Sequence, residues 1–384
     1  MTKYFSCAAS FGIMLCLGGV YAWSIFAAEL QAAYGFSATQ TQMIFGTHIA
    51  VFPVTMIFAN MLKHRTSDLL VSSLSAILLS WGYIMAGTSG GAFDRIFIGI
   101  GVIAGIGTGL GYFIALTTPV EWFHENKGLI TGIAAAGFSL SAVILANVTE
   151  LLLNNKIGVL QIFTGIGIVY GVVILGLSPF LKSPPAVITE NKRIRKANIV
   201  TLGFFKLLLG IFCGTFAGLI IIGNLKQIGL EHGIESRIIL QGLTLFAVSN
   251  FAGRLIWGAV SDYIGSKLCI ILALTLQAVS IYYIGFTLLP KFAFLIFSAL
   301  IGFGFGANFV LFVKETSKAF GHQNLGYVYP YVFLGFAAAV IVGPLLSGTI
   351  FDFTGNYSSI SGIAITLSLV GATLFLIKGK IVLT

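Results

Sequence analysis

Residues 97–113 read FIGIGVIAGIGTGLGYF. Gly105, Gly107, Gly109 and Gly111 recur at every second position, and just before them Gly99, Gly101 and Ala104 satisfy G-x-G-x-x-A. Glu121 follows about twenty residues after Gly101, which is the spacing of a dinucleotide-binding turn. Such a turn needs a strand before the glycines, a helix after them, and water around the phosphate. Here the glycines lie inside a continuous apolar run, Ile96–Val120, whose backbone in lipid must bond to itself. The sequence context therefore argues against a phosphate cradle and for helix packing. Glycines four apart (Gly101, Gly105, Gly109; Gly107, Gly111) put bare backbone on one helix face. The spacing of two puts it on two faces, so this helix is expected to meet two partners closely and to slide against them.

Composition points the same way. Of 384 residues, 57% are apolar and 9% charged, with mean hydropathy +1.00. A soluble domain carries about 25% charged residues, so these ions cannot cover a wetted surface. Crossing a bilayer core takes about 20 helical residues, and twelve runs qualify, from Phe5–Ala27 to Ser358–Ile377. They lack the alternation of barrel strands. The fold class expected is an all-α membrane protein with twelve transmembrane helices.

With the N-terminus inside, and leaving aside Arg254 within the eighth helix, all but Arg95, Lys156, Lys226, Arg237 and Lys291 of the 21 Lys and Arg fall at cytoplasmic ends and loops, as the positive-inside rule requires. The net charge of +9 is then topology and anchoring to lipid headgroups, and no nucleic-acid partner is expected. The first 26 residues, MTKYFSCAASFGIMLCLGGVYAWSIF, are too long an apolar run for a signal peptide and read as an uncleaved helix. Both termini are placed in the cytoplasm of a cell with a bacterial-type inner membrane. Cys7, Cys16, Cys213 and Cys269 lack metal-ligand spacing and read as buried apolar residues. No metal or cofactor is expected. No converging set of His, Asp, Glu or Ser lies inside the helices, which argues against an enzyme.

The one long polar interruption, KSPPAVITENKRIRKAN at 182–198, divides the helices six and six. Residues 1–181 are read as an N-terminal bundle, 182–200 as a cytoplasmic linker and 201–384 as a C-terminal bundle. Gly105, Gly107 and Gly109 return as Gly302, Gly304 and Gly306, an offset of 197, and Gly128 returns as Gly326. Two parallel halves of equal length point to a duplicated unit, as in many secondary transporters.

Motifs then narrow the family. Gly258-x-x-x-Asp262-Tyr-x-Gly265-x-Lys267 resembles the loop signature of the major facilitator superfamily, in which an acid and a base latch the inner helix ends. Asp262 is also suited to the positive end of the next helix. The corresponding first-half loop, Asn60 to Asp68, lacks the glycine and the early acid, which puts a latch there in doubt. The segments GGVYAWSIF, GYFIALTTPVEWFHENKGLITGIAAAGF, Asn250-x-x-Gly253-Arg254 with Trp257-Gly258, and Gly348-x-x-x-Asp352-x-Thr-Gly355-x-Tyr357 resemble the oxalate/formate antiporter-like and monocarboxylate transporter families of that superfamily.

The resemblance implies two six-helix bundles of the major facilitator fold. It also implies transport of a small organic anion by alternating access through a central site. Arg254 matches the arginine that binds carboxylate in those families. An arginine in mid-helix costs about 2.5–3.5 kcal/mol to insert, which a bidentate carboxylate would offset; the alternative is snorkelling to the cytoplasmic interface. Monocarboxylate transporters place an aspartate where Asn250 stands. Oxalate-type members carry a second cation in the eleventh helix, near Leu334 here, and that helix has no Lys or Arg. One charge suits one carboxylate, so a monocarboxylate is expected. Tyr21, Tyr112, Tyr331 and Asn308 are candidates to line the site, with core packing as the alternative. His48 is a candidate to carry a proton or meet substrate, with a neutral ring held by a backbone carbonyl as the competing reading. The first helix has no lysine beyond Lys3 and so lacks the one monocarboxylate transporters use there; coupling to a proton would fall to His48, whereas exchange for a counter-substrate or facilitated diffusion needs no such group. The runner-up reading is a carrier of amino acids, siderophores or drugs, with Arg254 structural. The expected partners are the bilayer and a small anionic molecule, with the protein acting as a monomer.

Overall fold

The computed structural model describes residues 2–123, 125–184, 199–354 and 358–377. The linker residues 185–198, Gly355 and Tyr357 of the last motif, and Lys378 and Lys380 therefore lie outside the described residues. Twelve helices are long and apolar enough to span a membrane. They are α1 Thr2–Tyr34, α2 Thr39–Arg65, α3 Asp68–Gly87, α4 Phe93–Trp122, α5 Lys127–Asn154, α6 Val159–Phe180, α7 Leu202–Glu231, α8 Ser236–Ile264, α9 Ser266–Phe286, α10 Lys291–Phe320, α11 His322–Gly343 and α12 Ser358–Leu376.

Several run past the apolar stretch that marks them. The hydropathy of α10 ends near Val313, yet its helix continues through Lys314 and Lys318 to Phe320. Thirty residues of α-helix measure about 45 Å against a hydrocarbon core of about 30 Å. Hydropathy thus reports the thickness of the membrane, and the helix extends beyond it. Helix starts follow local chemistry. Ser37 forms a capping box with Gln40 before α2, and Ser67 and Thr201 accept from Leu70 and Phe204 N–H before α3 and α7. Gly265, at φ 88°, makes the tight joint between α8 and α9, a conformation that costs glycine little.

The chain divides into two compact units. Unit 1 comprises Met1–His124 and Ile133–Lys192; unit 2 comprises Glu125–Gly132 and Arg193–Thr384. Inside unit 1, α4 packs on α2 and α3, and α6 on α3 and α1. Inside unit 2 the same scheme recurs: α10 packs on α8 and α9, and α12 on α9 and α7.

Glycine makes these seams. A Cβ on Gly105 or Gly109 would meet His48 and Phe52 of α2, whereas one on Gly107 or Gly111 would meet Leu79 and Ser75 of α3. The quoted stretch therefore does present bare backbone to two neighbours. In unit 2, Gly302 and Gly306 face Phe246 and Asn250 of α8, and Gly304 faces Ala273 and Gln277 of α9. Two helices depart from α geometry. Gly18–Ala22 of α1 winds as a 3₁₀ turn, and Phe97–Ala104 of α4 winds as a π-helix, a form found mostly in short pieces and often at functional sites.

Candidate functional site

In unit 2 the repeat register decides what surrounds Arg254. Gly306 brings α10 against the backbone of Asn250, and Phe309, nearly one turn later on α10, then arrives beside Arg254. The guanidinium carbon lies 4.2 Å from the Phe309 ring centroid, within cation–π range. Arg254 Nε donates to Asn250 Oδ1 at 3.2 Å. The arginine is 1% exposed, so its head does not reach out to solvent. A planar fork of five N–H donors held at its face and at Nε matches a carboxylate in geometry. Phe309 was not among the residues singled out from sequence. The signal was present, because the glycine register of α10 against α8 places 309 beside 254.

The other candidates of unit 2 make contacts of their own. Asn308 is buried and donates to its own helix at Phe305 O, 3.1 Å away. Its Oδ1 lies beside Gly214 of α7, so it is turned into a helix–helix seam. Tyr331 stacks edge-on with Tyr327, centroids 5.9 Å apart, on α11. At the end of α8, Asp262 accepts from the Gly128 and Leu129 N–H groups at 2.9 and 3.0 Å. The acid thus caps the first turn of α5, where the helix dipole favours negative charge, and not the following helix α9. Its ion partner is Lys314 of α10 at 2.5 Å; Lys267 takes no part in that pair. Gly258 faces Gly128 backbone to backbone, which lets the carboxylate reach.

In unit 1, His48 is buried between α2 and α4. Its Nδ1 lies 2.9 Å from Ile100 O and its Nε2 3.1 Å from Thr108 Oγ1. A carbonyl only accepts, so Nδ1 carries the proton, and Thr108 can donate to a neutral Nε2. This is the backbone-held ring weighed against a proton carrier above. Tyr112 packs edge-on against Phe52 and Phe138, at 4.8 and 5.2 Å. Tyr21, on the 3₁₀ turn of α1, meets the same Phe138 at 5.5 Å. The structure therefore gathers Tyr21 and Tyr112 around one ring.

The first-half loop is better furnished than its sequence suggests. Lys63 pairs with Glu121 at 2.7 Å and Asp68 at 3.6 Å. Asp68 also accepts from Ser183 N–H at 2.6 Å, and Trp122 Nε1 donates to Lys182 O at 2.6 Å. The acid missing from the early position is supplied from the ends of α3 and α4. Among the described residues, no group of three or more His, Cys, Asp or Glu could hold a metal ion, and the four cysteines are buried and free.

Comparison with known proteins places these observations in a family. The profile of the Major Facilitator Superfamily matches residues 8–235 and 207–380. An uncharacterized MFS-type transporter, YhjX, of Escherichia coli is 26% identical, covering 88% of this chain and 86% of that protein. The oxalate:formate antiporter of Oxalobacter formigenes is 24% identical, over 88% of this chain and 82% of its own. Monocarboxylate transporter 12 of Mus musculus is 22% identical, over 88% and 76%. Among solved structures, the Escherichia coli fucose:proton symporter FucP superposes with TM-score 0.74 at 13% identity, covering 98% and 99% of the two chains. The proton:xylose symporter XylE gives 0.76 at 12% identity, covering 97% and 94%. These structural likenesses speak to the fold.

Proposed function

Because the chain belongs to the Major Facilitator Superfamily, whose members are transporters and not enzymes, we propose that it moves a small organic anion, best a monocarboxylate, across a bacterial inner membrane by alternating access. The observation that carries this reading is Arg254. It is a fully buried guanidinium in a membrane-spanning helix, steadied by an amide oxygen and an aromatic ring. Burying such a charge is costly, and a carboxylate held by its fork offsets that cost. Relatives named for oxalate, formate and monocarboxylates support the class of cargo. In this reading Asn250 holds the arginine, and Tyr21, Tyr112 and Tyr331 meet the apolar part of the substrate. Asp262 with Lys314 latches the inner ends of unit 2. Both termini lie in the cytoplasm, and the protein works as a monomer. The partner in coupling is a proton or a counter-substrate, and His48, whose ring nitrogens are both engaged inside unit 1, favours the latter.

A second reading draws on the same contacts. Arg254 clamped by Phe309 and Asn250 would also serve as a structural tie in a carrier of amino acids, siderophores or drugs. Uptake of labelled monocarboxylates, dicarboxylates and amino acids into proteoliposomes separates the two. Arg254→Ala and Arg254→Lys are assayed beside wild type, with thermal melting as the check on folding. The anion reading expects a monocarboxylate as best substrate and a loss of about tenfold or more in Arg254→Ala, from charge-assisted hydrogen bonds of about 1.5–3 kcal/mol each. A folded Arg254→Ala protein that transports the best substrate at the wild-type rate overturns it.

A further inference from the structure

At one end of unit 2 a cavity of about 50 Å³ is lined by Leu202, Lys206, Lys267, Glu315, Phe375 and Ile377, among others. It has room for a group larger than a single water. Lys206 stands in the first turns of α7 and Lys267 in the first turn of α9, so the positive ends of two helix dipoles add to their charge. Lys206 spends one proton on Ile377 O at 3.0 Å, where it meets the last carbonyls of α12. Glu315 is 6% exposed and accepts the Ser266 hydroxyl at 2.6 Å. Among the described residues, neither lysine joins an ion pair.

The cavity therefore holds two ammonium groups and one carboxylate, a net single positive charge. A phosphodiester carries the one negative charge that balances it. The rest of its lining is apolar, and of it Leu202 is 63% and Ile377 58% exposed. Side chains of that kind around a charged cavity suit acyl chains and not water. A free phosphate ion, without chains and with more charge, matches neither feature as well. Basic pockets between membrane helices are a known form of headgroup site.

We propose that this cavity of unit 2 binds the phosphodiester headgroup of an anionic phospholipid, with Lys206 and Lys267 on the phosphate and the acyl chains over the apolar rim. The proposal does not depend on what the protein transports. The test is a thermal-melting titration of the detergent-purified full chain with phosphatidylglycerol, phosphatidylcholine or inorganic phosphate. Phosphatidylglycerol is expected to raise the melting temperature saturably, and the other two to leave it unchanged. Lys267→Gln should weaken the apparent affinity about fivefold, and Lys206→Gln with Lys267→Gln about thirtyfold. Lys267→Arg, which keeps the charge, should bind as wild type does. Equal effects of phosphatidylcholine and phosphatidylglycerol would overturn the proposal. So would an undiminished phosphatidylglycerol effect in Lys267→Gln, or inorganic phosphate alone reproducing the shift, which would make the ligand a soluble anion.

Discussion

Helices α4 of unit 1 and α10 of unit 2 are built on one plan and carry different chemistry. Gly105 and Gly109 press α4 against His48 and Phe52, as Gly302 and Gly306 press α10 against Phe246 and Asn250. At matching places of the repeat, then, a histidine answers a phenylalanine and a phenylalanine answers an asparagine. The reversal continues at the helix ends. In unit 1 the base, Lys63, is on α2 and its acid, Glu121, on α4; in unit 2 the acid, Asp262, is on α8 and its base, Lys314, on α10. Seam packing and polar side-chain chemistry are therefore separable. The glycines that hold a unit together are shared, and the polar residues that distinguish one unit from the other stand beside them.

The strongest way to break this comparison is to fill both seams. An added methyl at Gly109 would run into Phe52 O and Thr55, and one at Gly306 into Asn250 O. Each of Gly109→Ala and Gly306→Ala is expected to cost about 1–3 kcal/mol by overpacking, read as a lowered melting temperature and poorer folded yield. Gly105→Ala, whose nearest atoms lie at 3.3 Å, should cost less than either. If all three are equal, the seams are not set by contact. Next in size is Asp262→Asn. It removes a charge that serves both Lys314 and the first turn of α5, an expected loss of about 0.5–2 kcal/mol, whereas Glu121→Gln in unit 1 leaves Lys63 with Asp68 and should cost less.

A smaller effect is expected from Phe309→Leu. Losing the cation–π contact should lower the stability of the Arg254 setting by about 0.5–2 kcal/mol, while Tyr112→Phe at the matching place in unit 1 keeps its ring contacts. Transport assays of the two variants would show whether the ring over Arg254 matters for substrate affinity. The smallest effect belongs to Glu235 and Lys291, an exposed pair at the starts of α8 and α10. Hydrogen bonding and attraction from Lys291 hold the Glu235 carboxyl below its ordinary range. A carboxylate whose pKa is lowered by folding stabilises above its unfolded pKa and loses that contribution as the pH falls through the folded value. Melting curves of wild type and Glu235→Gln should thus differ slightly at pH 7 and converge in acid; a constant gap would show that the pair contributes nothing through charge.

Much of this was legible in the chain itself. Twelve spans and the two glycine faces of α4 follow from residue spacing, because lipid leaves the backbone few choices. Helix ends were less legible, since α10 continues past its apolar run through Lys314 and Lys318. That extension hid the partner of Asp262, which lies 52 residues away in sequence and can be found only from the packing of α8 on α10. The ties of Lys63, Asp68 and Glu121 escaped for the same reason: they join three helix ends, and no local motif records them. His48 shows a third limit. Its place in an apolar run marks it as a polar residue within a helix, but only the geometry says that Ile100 and Thr108 take both nitrogens.

Where Gly82 faces Gly99, or Gly128 faces Gly258, backbone lies against backbone with no layer of side chains between. Side chains absorb a small displacement by changing rotamer; a carbonyl and a Cα hydrogen have no such freedom. Seams of this kind behave as dry bearings. They wear no cushion that could be compressed, so a push on one helix is either resisted outright or passed on whole to its neighbour.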